Sequence, residues 1–443
     1  MVSFFPIGRR AVWSGGRKQP ANVPEEKLRH RTAQWRDFFH PEANWIRVAF
    51  AMSAVGWGGN HFVPLLAVYR RSLGLHDTTL TAIFGMYALG IVPGLLLGGP
   101  TSDRFGRRPL VIASTVLSLL ASAVLMTGTW TVLGLYIGRF LIGLAGGGMF
   151  AAGSVWVKEL SEHASEGASA RRATISLSAG FSIGPLVSGI LGQWGPHPTL
   201  LPYIFHLAVA SLAVSLLLSV PETADSMETS RSVLTRLRIR RSILARCMRL
   251  LLPTSPWVFG SASIAFTVLP ARADSNVGGL TIVFAGAIAA ITLGAGIAVQ
   301  PLAKQLARAG DTYCAIAGLC AVVVGCALGA AAATIHSSIL VLTGAIGLGS
   351  GYGFCLVFGL SEVTRLARPE ELATLVAMNY VLAYAGLAIP YALALLAPSC
   401  GYPIALLLAA GVALLCLVAV GTPAGRIDRQ RGRRERTTAG SDR

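Results

Sequence analysis

The stretch GPTSDRFGRRP, residues 99–109, places Asp103, Arg104, Arg107 and Arg108 within six residues, between two long uncharged apolar runs. Those runs, near 79–99 and 109–127, are each about the length a helix needs to cross a bilayer core of roughly 30 Å. The charged stretch therefore reads as a tight polar turn at a membrane face, joining two spans.

Working outward, the same length rule gives spans near 45–69, 79–99, 109–127, 130–157, 173–193 and 200–220. A second set follows near 250–270, 279–300, 312–333, 338–361, 373–396 and 401–421. Helices are the expected element, because open strands cannot satisfy their backbone in lipid and no alternating pattern of the barrel kind is present. With 53% hydrophobic residues, only 13% charged residues and a mean hydropathy of +0.61, the 443-residue chain is expected to be an all-α integral membrane protein.

The net charge of +17 could suggest a nucleic-acid partner, but its placement argues otherwise. Of the 37 lysines and arginines, setting aside Arg70, Arg71, Arg272 and the intraspan Arg139 leaves 33 on one side of a twelve-span topology. Positive loops resist translocation, so that side is expected to be the cytoplasm, with both termini there, in a plasma-membrane protein. The charge then has a topogenic origin, and no nucleic acid is implied.

Residues 1–42 read as a basic cytoplasmic arm, since they lack the apolar core and cleavage site of a signal peptide. Residues 221–249 read as a basic cytoplasmic linker and 422–443 as a basic cytoplasmic tail; arm and tail could both touch anionic lipid. The seven cysteines show no metal spacing and are expected to stay free. No cofactor or metal is implied, and no Walker loop, GxSxG or HExxH points to an enzyme.

An internal repeat organises the spans. TSDRFGRRP from Thr101 aligns with LAKQLARAG from Leu302 at a shift of 201 residues. IGLAGGGMF from Ile142 aligns with IGLGSGYGF from Ile346 at a shift of 204. Two matches at nearly one shift indicate duplicated six-helix bundles, 43–220 and 250–421.

The pattern Gly99-x3-Asp103-Arg104-x-Gly106-Arg107-Arg108, after the second of twelve spans, resembles the signature loop of the major facilitator superfamily of transporters. The likeness covers about residues 43–421. It implies the fold of two six-helix bundles that rock about a central pocket, working as a monomer. It also implies that the turn is a cytoplasmic gate, in which Gly99 allows close helix approach and Asp103 reaches the start of helix 11 at Arg368-Pro369-Glu370-Glu371.

In helix 5, Gly180-x3-Gly184-Pro185-x2-Ser188-Gly189 puts small residues on one face and a kink at Pro185. This resembles the family's antiporter motif, with Ser188 in place of an expected glycine, and ordinary close packing is the other reading. Arg139 lies about nine residues inside helix 4, where a lone charge costs several kcal/mol. It should therefore face a cavity or a partner, and its setting resembles a motif the family links to proton movement.

Helix 1 carries Asn60 and His61 in lipid depth, a costly pair unless it faces the interior. The resemblance places helices 1, 4, 7 and 10 along the central path, which puts His61, Arg139, Trp257, Ser261, Ser350 and Tyr352 there. Asn379 and Tyr384 of helix 11 are further candidates, and His206 is expected at the membrane interface.

No Asp or Glu falls in the middle of any span, so the pocket leans positive and favours neutral or anionic solutes. The proton site is then His61, or Arg139 acting with Glu159. The expected function is proton-coupled efflux of a small organic compound by alternating access. Proton-coupled uptake of a sugar or organic acid uses the same architecture, and a receptor or scaffold on this fold is the reading from another class.

Overall fold

The computed structural model describes residues 44–161, 168–224, 241–273, 277–309 and 312–421. The expected arm and tail, and residues 225–240 of the expected linker, lie outside the described residues. Among the described residues there is no strand. The first half of the chain contributes α1 (Asn44–Asn60), α2 (Phe62–Leu73), α3 (Asp77–Phe105), α4 (Arg107–Met126), α5 (Val132–Glu159), α6 (Ala168–Trp194) and α7 (Leu201–Leu217). The second half contributes α8 (Arg241–Thr254), α9 (Pro256–Thr267), α10 (Thr281–Ala298), α11 (Gln300–Ala309), α12 (Tyr313–Ile335), α13 (Ser338–Leu366), α14 (Pro369–Ala385) and α15 (Ile389–Gly421).

Eight described stretches are long and apolar enough to cross a membrane. One of them, 374–421, breaks at Gly401, where φ is 77°, a conformation glycine adopts without a Cβ penalty. Beyond that break α15 turns back along α12, with Leu406 beside Gly329, so the stretch crosses twice. Further crossings come from α1 continued by α2, from α7, and from α8 continued by α9, which brings the passes among the described residues to twelve. Outward faces carry exposed Leu120, Leu186 and Leu415, as a lipid-facing surface requires.

The quoted stretch is less of a loop than its composition suggests. Helix α3 runs on through Pro100 to Phe105, and the chain turns at Gly106 alone (φ 99°) before α4 begins. Helix α8 likewise starts at Arg241, inside the expected linker, and Pro253 and Pro256 mark its junction with α9.

The two halves repeat in packing as well as in sequence, at a shift of 206 rather than 204. Thr131 and Ser337 each accept a backbone N–H at the start of α5 and α13. A Cβ on Gly143 would lie 2.3 Å from the Tyr87 carbonyl oxygen of α3, and one on Gly349 would lie 2.1 Å from the Thr292 carbonyl oxygen of α10. String identity aligned the glycine runs, whereas the faces that touch the neighbouring helix are offset by two residues.

Between the halves, α6 packs on α10, α2 on α10, and α3 on α14 and α15. One apolar core crosses this seam, from Phe62 and Tyr87 to Trp257 and Tyr384. Toward the end that carries residues 103–108, the basic end, two separate clusters take over. One is built around Met52, Met149 and Trp156, the other around Cys247, Leu251, Val363 and Leu375. The halves are therefore joined in the middle and at the far end, with their cores divided at the basic end.

Candidate functional site

At the basic end, Asp103 pairs with Arg107 one helical turn on. Arg107 also reaches Glu159 at the end of α5 (3.4 Å). Beyond α7, Glu222 accepts from the backbone N–H groups of Arg107 (3.0 Å) and Arg108 (2.9 Å), capping α4. Burial alone would raise the Glu222 pKa, but the backbone N–H groups of Ala224, Arg108, Arg107 and Thr223 outweigh it and hold the carboxylate below its usual range.

Arg108 donates to the Leu218 carbonyl (2.6 Å), and Arg104 lies over the Phe105 ring (5.1 Å). These partners lie in the first half or, for Glu222, just beyond α7. At the start of α14, Glu371 accepts from the backbone N–H of its own N-cap, Arg368 (3.4 Å); the side chains of Pro369 and Glu370 lie outside the described residues. Gly99 corrects an expectation, because a Cβ there would meet nothing within 4 Å. Close approach of α3 to α5 is made instead by Gly90, Gly94 and Gly98.

In the helix 5 pattern, Gly180 and Gly184 face α1, where a Cβ on Gly180 would lie 2.0 Å from the Ser53 carbonyl oxygen. Gly189 and the Pro185 carbonyl face Gly286 of α10 across the seam between halves. The pattern thus divides its small residues between an internal contact and the interface that must slide if the halves move.

Arg139, two turns into α5, is 1% exposed. It donates to the carbonyls of Gly59 (2.7 Å) and Phe84 (3.1 Å), and its guanidinium lies 4.9–5.2 Å from the rings of Phe62, Phe84 and Tyr87. Its Nε has no partner. The expected pairing with Glu159 is overturned by geometry. Twenty residues of one continuous helix, about 30 Å, separate the two, and Glu159 is taken by Arg107 and Thr223.

His61, at the junction of α1 and α2, is fully buried with neither ring nitrogen bonded. Its ring packs on Tyr203 (4.9 Å) and His206 (5.0 Å). His206 is the third correction: it is buried inside the first half, bonded to Ser122 (2.8 Å) and the Ala54 carbonyl (3.0 Å). Gly58 makes the room, since a Cβ there would lie 2.9 Å from the His206 ring. Asn60 donates to the Phe181 carbonyl (3.3 Å).

In the second half, Ser261 donates to the Trp257 carbonyl (2.7 Å) and Ser350 to the Ile346 carbonyl (2.8 Å), each within its own helix. Ser255 bonds Asn379 (2.7 Å), tying α14 to the junction of α8 and α9. Trp257 is buried, and Tyr352 is partly exposed beside Phe259.

The far end holds a constellation the sequence reading passed over. Asp77, the first residue of α3, accepts from Arg70 Nε (3.0 Å), Arg272 (3.2 Å) and the Tyr402 hydroxyl (2.6 Å). Arg272 and Tyr402 belong to the second half, so this clasp spans the seam beside a cavity of about 790 Å³. Arg71 to Thr281 (2.7 Å) and Gln193 to the Gly279 carbonyl (3.1 Å) reinforce it.

Comparison with known proteins agrees with this architecture. The family model for the Major Facilitator Superfamily matches residues 48–390. Among curated proteins, Multidrug resistance protein D of Escherichia coli is 27% identical over 37% of this chain and 41% of its own length. The class H tetracycline resistance protein of Pasteurella multocida is 30% identical over 34% of this chain and 36% of its own. The glucose transporter GlcP of Staphylococcus epidermidis is 30% identical over 22% of this chain and 21% of its own. The chain thus aligns with less than half the length of each of these relatives. Among solved structures, the nucleoside transporter NupG superposes with a TM-score of 0.68 at 13% identity, over 86% of this chain and 98% of that one. A POT family transporter bound to a thioalcohol-conjugated peptide gives 0.70 at 15%, over 87% and 96%. Twelve helical passes, halves that repeat in packing and a family match over most of its length make this chain a member of the Major Facilitator Superfamily, a multi-pass membrane transporter and not an enzyme.

Proposed function

We propose that the chain exports a small neutral or anionic organic solute across the plasma membrane in exchange for protons, by alternating access, with its basic end in the cytoplasm. The observation that carries this reading is Arg139, a buried cation held by carbonyls and aromatic faces. Among the described residues the carboxylates stand at helix ends or beyond: Asp77, Asp103, Glu159, Glu222, Glu362 and Glu371. A site without a mid-depth carboxylate has nothing to trade a proton for an organic cation, whereas a lone arginine favours an electron-rich solute. His61, with both ring nitrogens unbonded beside Arg139's helix, is the group proposed to carry the proton.

Export is supported by the helix 5 pattern at the α6–α10 seam and by two relatives named for drug resistance. Proton-coupled uptake is the second reading, supported by the relative named as a glucose transporter. The purified protein in liposomes decides between them. Solute should accumulate in the compartment from which protons flow out, and reversing the pH gradient should reverse that accumulation. Accumulation that follows the protons would establish symport instead. The absence of counterflow for every solute that binds would leave a receptor or scaffold.

A further inference from the structure

The far-end cavity of about 790 Å³ draws its lining from two unlike sources. The end of α2, the start of α3 and the turn after α9 supply charge, in Arg70, Asp77 and Arg272. The end of α12 and the first leg of α15 supply small apolar groups, Ala333, Ala394 and Ala397. Alanines at these places leave volume that larger apolar side chains would fill. Among the described residues, none from α5 or α13, the helices of Arg139 and Tyr352, lines this cavity. It is therefore a different place from the mid-depth path between the halves.

Charge and position restrict the guest. Asp77 is the one acid among the described lining residues, and two arginines share it, which leaves positive charge in excess. Arg272 is the less committed of the two: its bond to Asp77 is 3.2 Å long, its guanidinium rests on the Tyr402 ring (4.0 Å), and its Nε has no partner. A phosphate, with several acceptor oxygens, suits the guanidinium donors that remain. A choline or ethanolamine group would meet the excess cation and find no free acid. Trp130 and Trp194 stand exposed at the same end of their helices, as an aromatic belt at headgroup level does. Leu395, Leu396 and Ile404, next in sequence to lining residues of α15, are exposed, as is Ile335 at the end of α12. A free anion would make no use of these apolar flanks, whereas acyl chains would lie along them.

We propose that this cavity is a binding site for the headgroup of an anionic phospholipid, its phosphate taken by Arg272 and Arg70 and its acyl chains lying along α12 and α15. The site depends on neither the solute nor the direction of transport. Arg70 and Asp77 belong to one half, and Arg272 and Ala397 to the other. A seated phosphate therefore adds an anion to a clasp that is short of one, and favours the closed far end.

The test uses the full-length protein purified in a neutral detergent, and its melting temperature read against three probes. These are dioctanoylphosphatidylglycerol, dioctanoylphosphatidylcholine, whose headgroup carries a balancing cation, and glycerol 3-phosphate, which has no acyl chain. A ligand of the folded state raises the melting temperature more the tighter it binds. The phosphatidylglycerol should bind at least about tenfold more tightly than either of the others. Arginines of the basic end could also attract it, so variants locate the site. Ala397→Phe and Ala333→Phe fill the cavity from α15 and from α12 without touching the clasp, and each should weaken the phosphatidylglycerol about tenfold. Arg272→Gln should remove its advantage over the phosphatidylcholine. Melting temperatures without lipid show which variants fold, and Arg272, in a turn between helices, can be changed without disturbing helix packing. The proposal is overturned if the phosphatidylglycerol gives no shift, if the two lipids bind the parent alike, or if the folded variants bind as the parent does. Glycerol 3-phosphate binding as tightly as the phosphatidylglycerol would overturn it too, because the anion would then come from water and not from the bilayer.

Discussion

Replacing Arg139 by methionine is expected to leave the melting temperature unchanged or higher while cutting solute flux at least about a hundredfold. The two effects diverge because the arginine is costly to the fold. It is 1% exposed, and no described carboxylate compensates its charge. A lone buried charge costs several kcal/mol even after bonds to carbonyls. The Phe84 carbonyl lies inside α3 and keeps its intrahelical donor, whereas the Gly59 carbonyl, in the last turn of α1, loses its donor at a cost of about 1–3 kcal/mol, which the several kcal/mol spent on the lone charge outweigh. Methionine has similar length and packs well against rings, and here it meets Phe62, Phe84 and Tyr87. A residue kept at a cost to stability is kept for what it does. If the variant instead melts far below the parent, Arg139 is a structural strut; if flux is unchanged, it has no part in transport. Scanning fluorimetry and liposome flux on one preparation read both quantities.

The second large effect is expected at the far end. Asp77→Asn preserves the shape of the carboxylate but removes the charge that gathers Arg70, Arg272 and Tyr402. Two arginines then face each other with no acid between them. Breaking a close, mostly covered charge pair costs on the order of 2–3 kcal/mol, which moves a two-state equilibrium roughly 30- to 150-fold. The population should shift toward a far-end-open form. Spin labels at Ser72 and Ser337, on the two lips of the far mouth, would report it as a longer interlabel distance. An unchanged distance distribution would show that the clasp decorates the closure without maintaining it. The Arg272–Tyr402 ring contact (4.0 Å) survives the substitution, so closure is weakened rather than abolished.

The passes and the repeat could be read from the chain because lipid imposes a length and a polarity on every span. Arg139 announced itself by depth alone. What could not be read was pairing. Asp77 drew no notice because its partners Arg272 and Tyr402 are 195 and 325 residues away. His206 looked interfacial because nothing near it in sequence reveals that α7 lies against the bare backbone of Gly58. Gly99 sits in the right string, yet the glycines that approach α5 are those on another face of α3, Gly90, Gly94 and Gly98, and only coordinates tell the faces apart. Glu222 lies just past an apolar run, in a segment whose reading was dominated by its basic neighbours, and its role as cap of α4 depends on a contact 115 residues away.

The central claim is that the halves part at the far end in every cycle. Arg71 and Thr281 touch across that end at 2.7 Å. With the native cysteines replaced, a protein carrying Arg71→Cys and Thr281→Cys can be bridged by a short bis-methanethiosulfonate, whose span takes the place of the arginine side chain, to lock the end shut, then reduced to free it. Flux in liposomes is expected to stop on cross-linking and return on reduction, with each single-cysteine protein unaffected by either treatment. Undiminished flux through a fully cross-linked protein would contradict the claim.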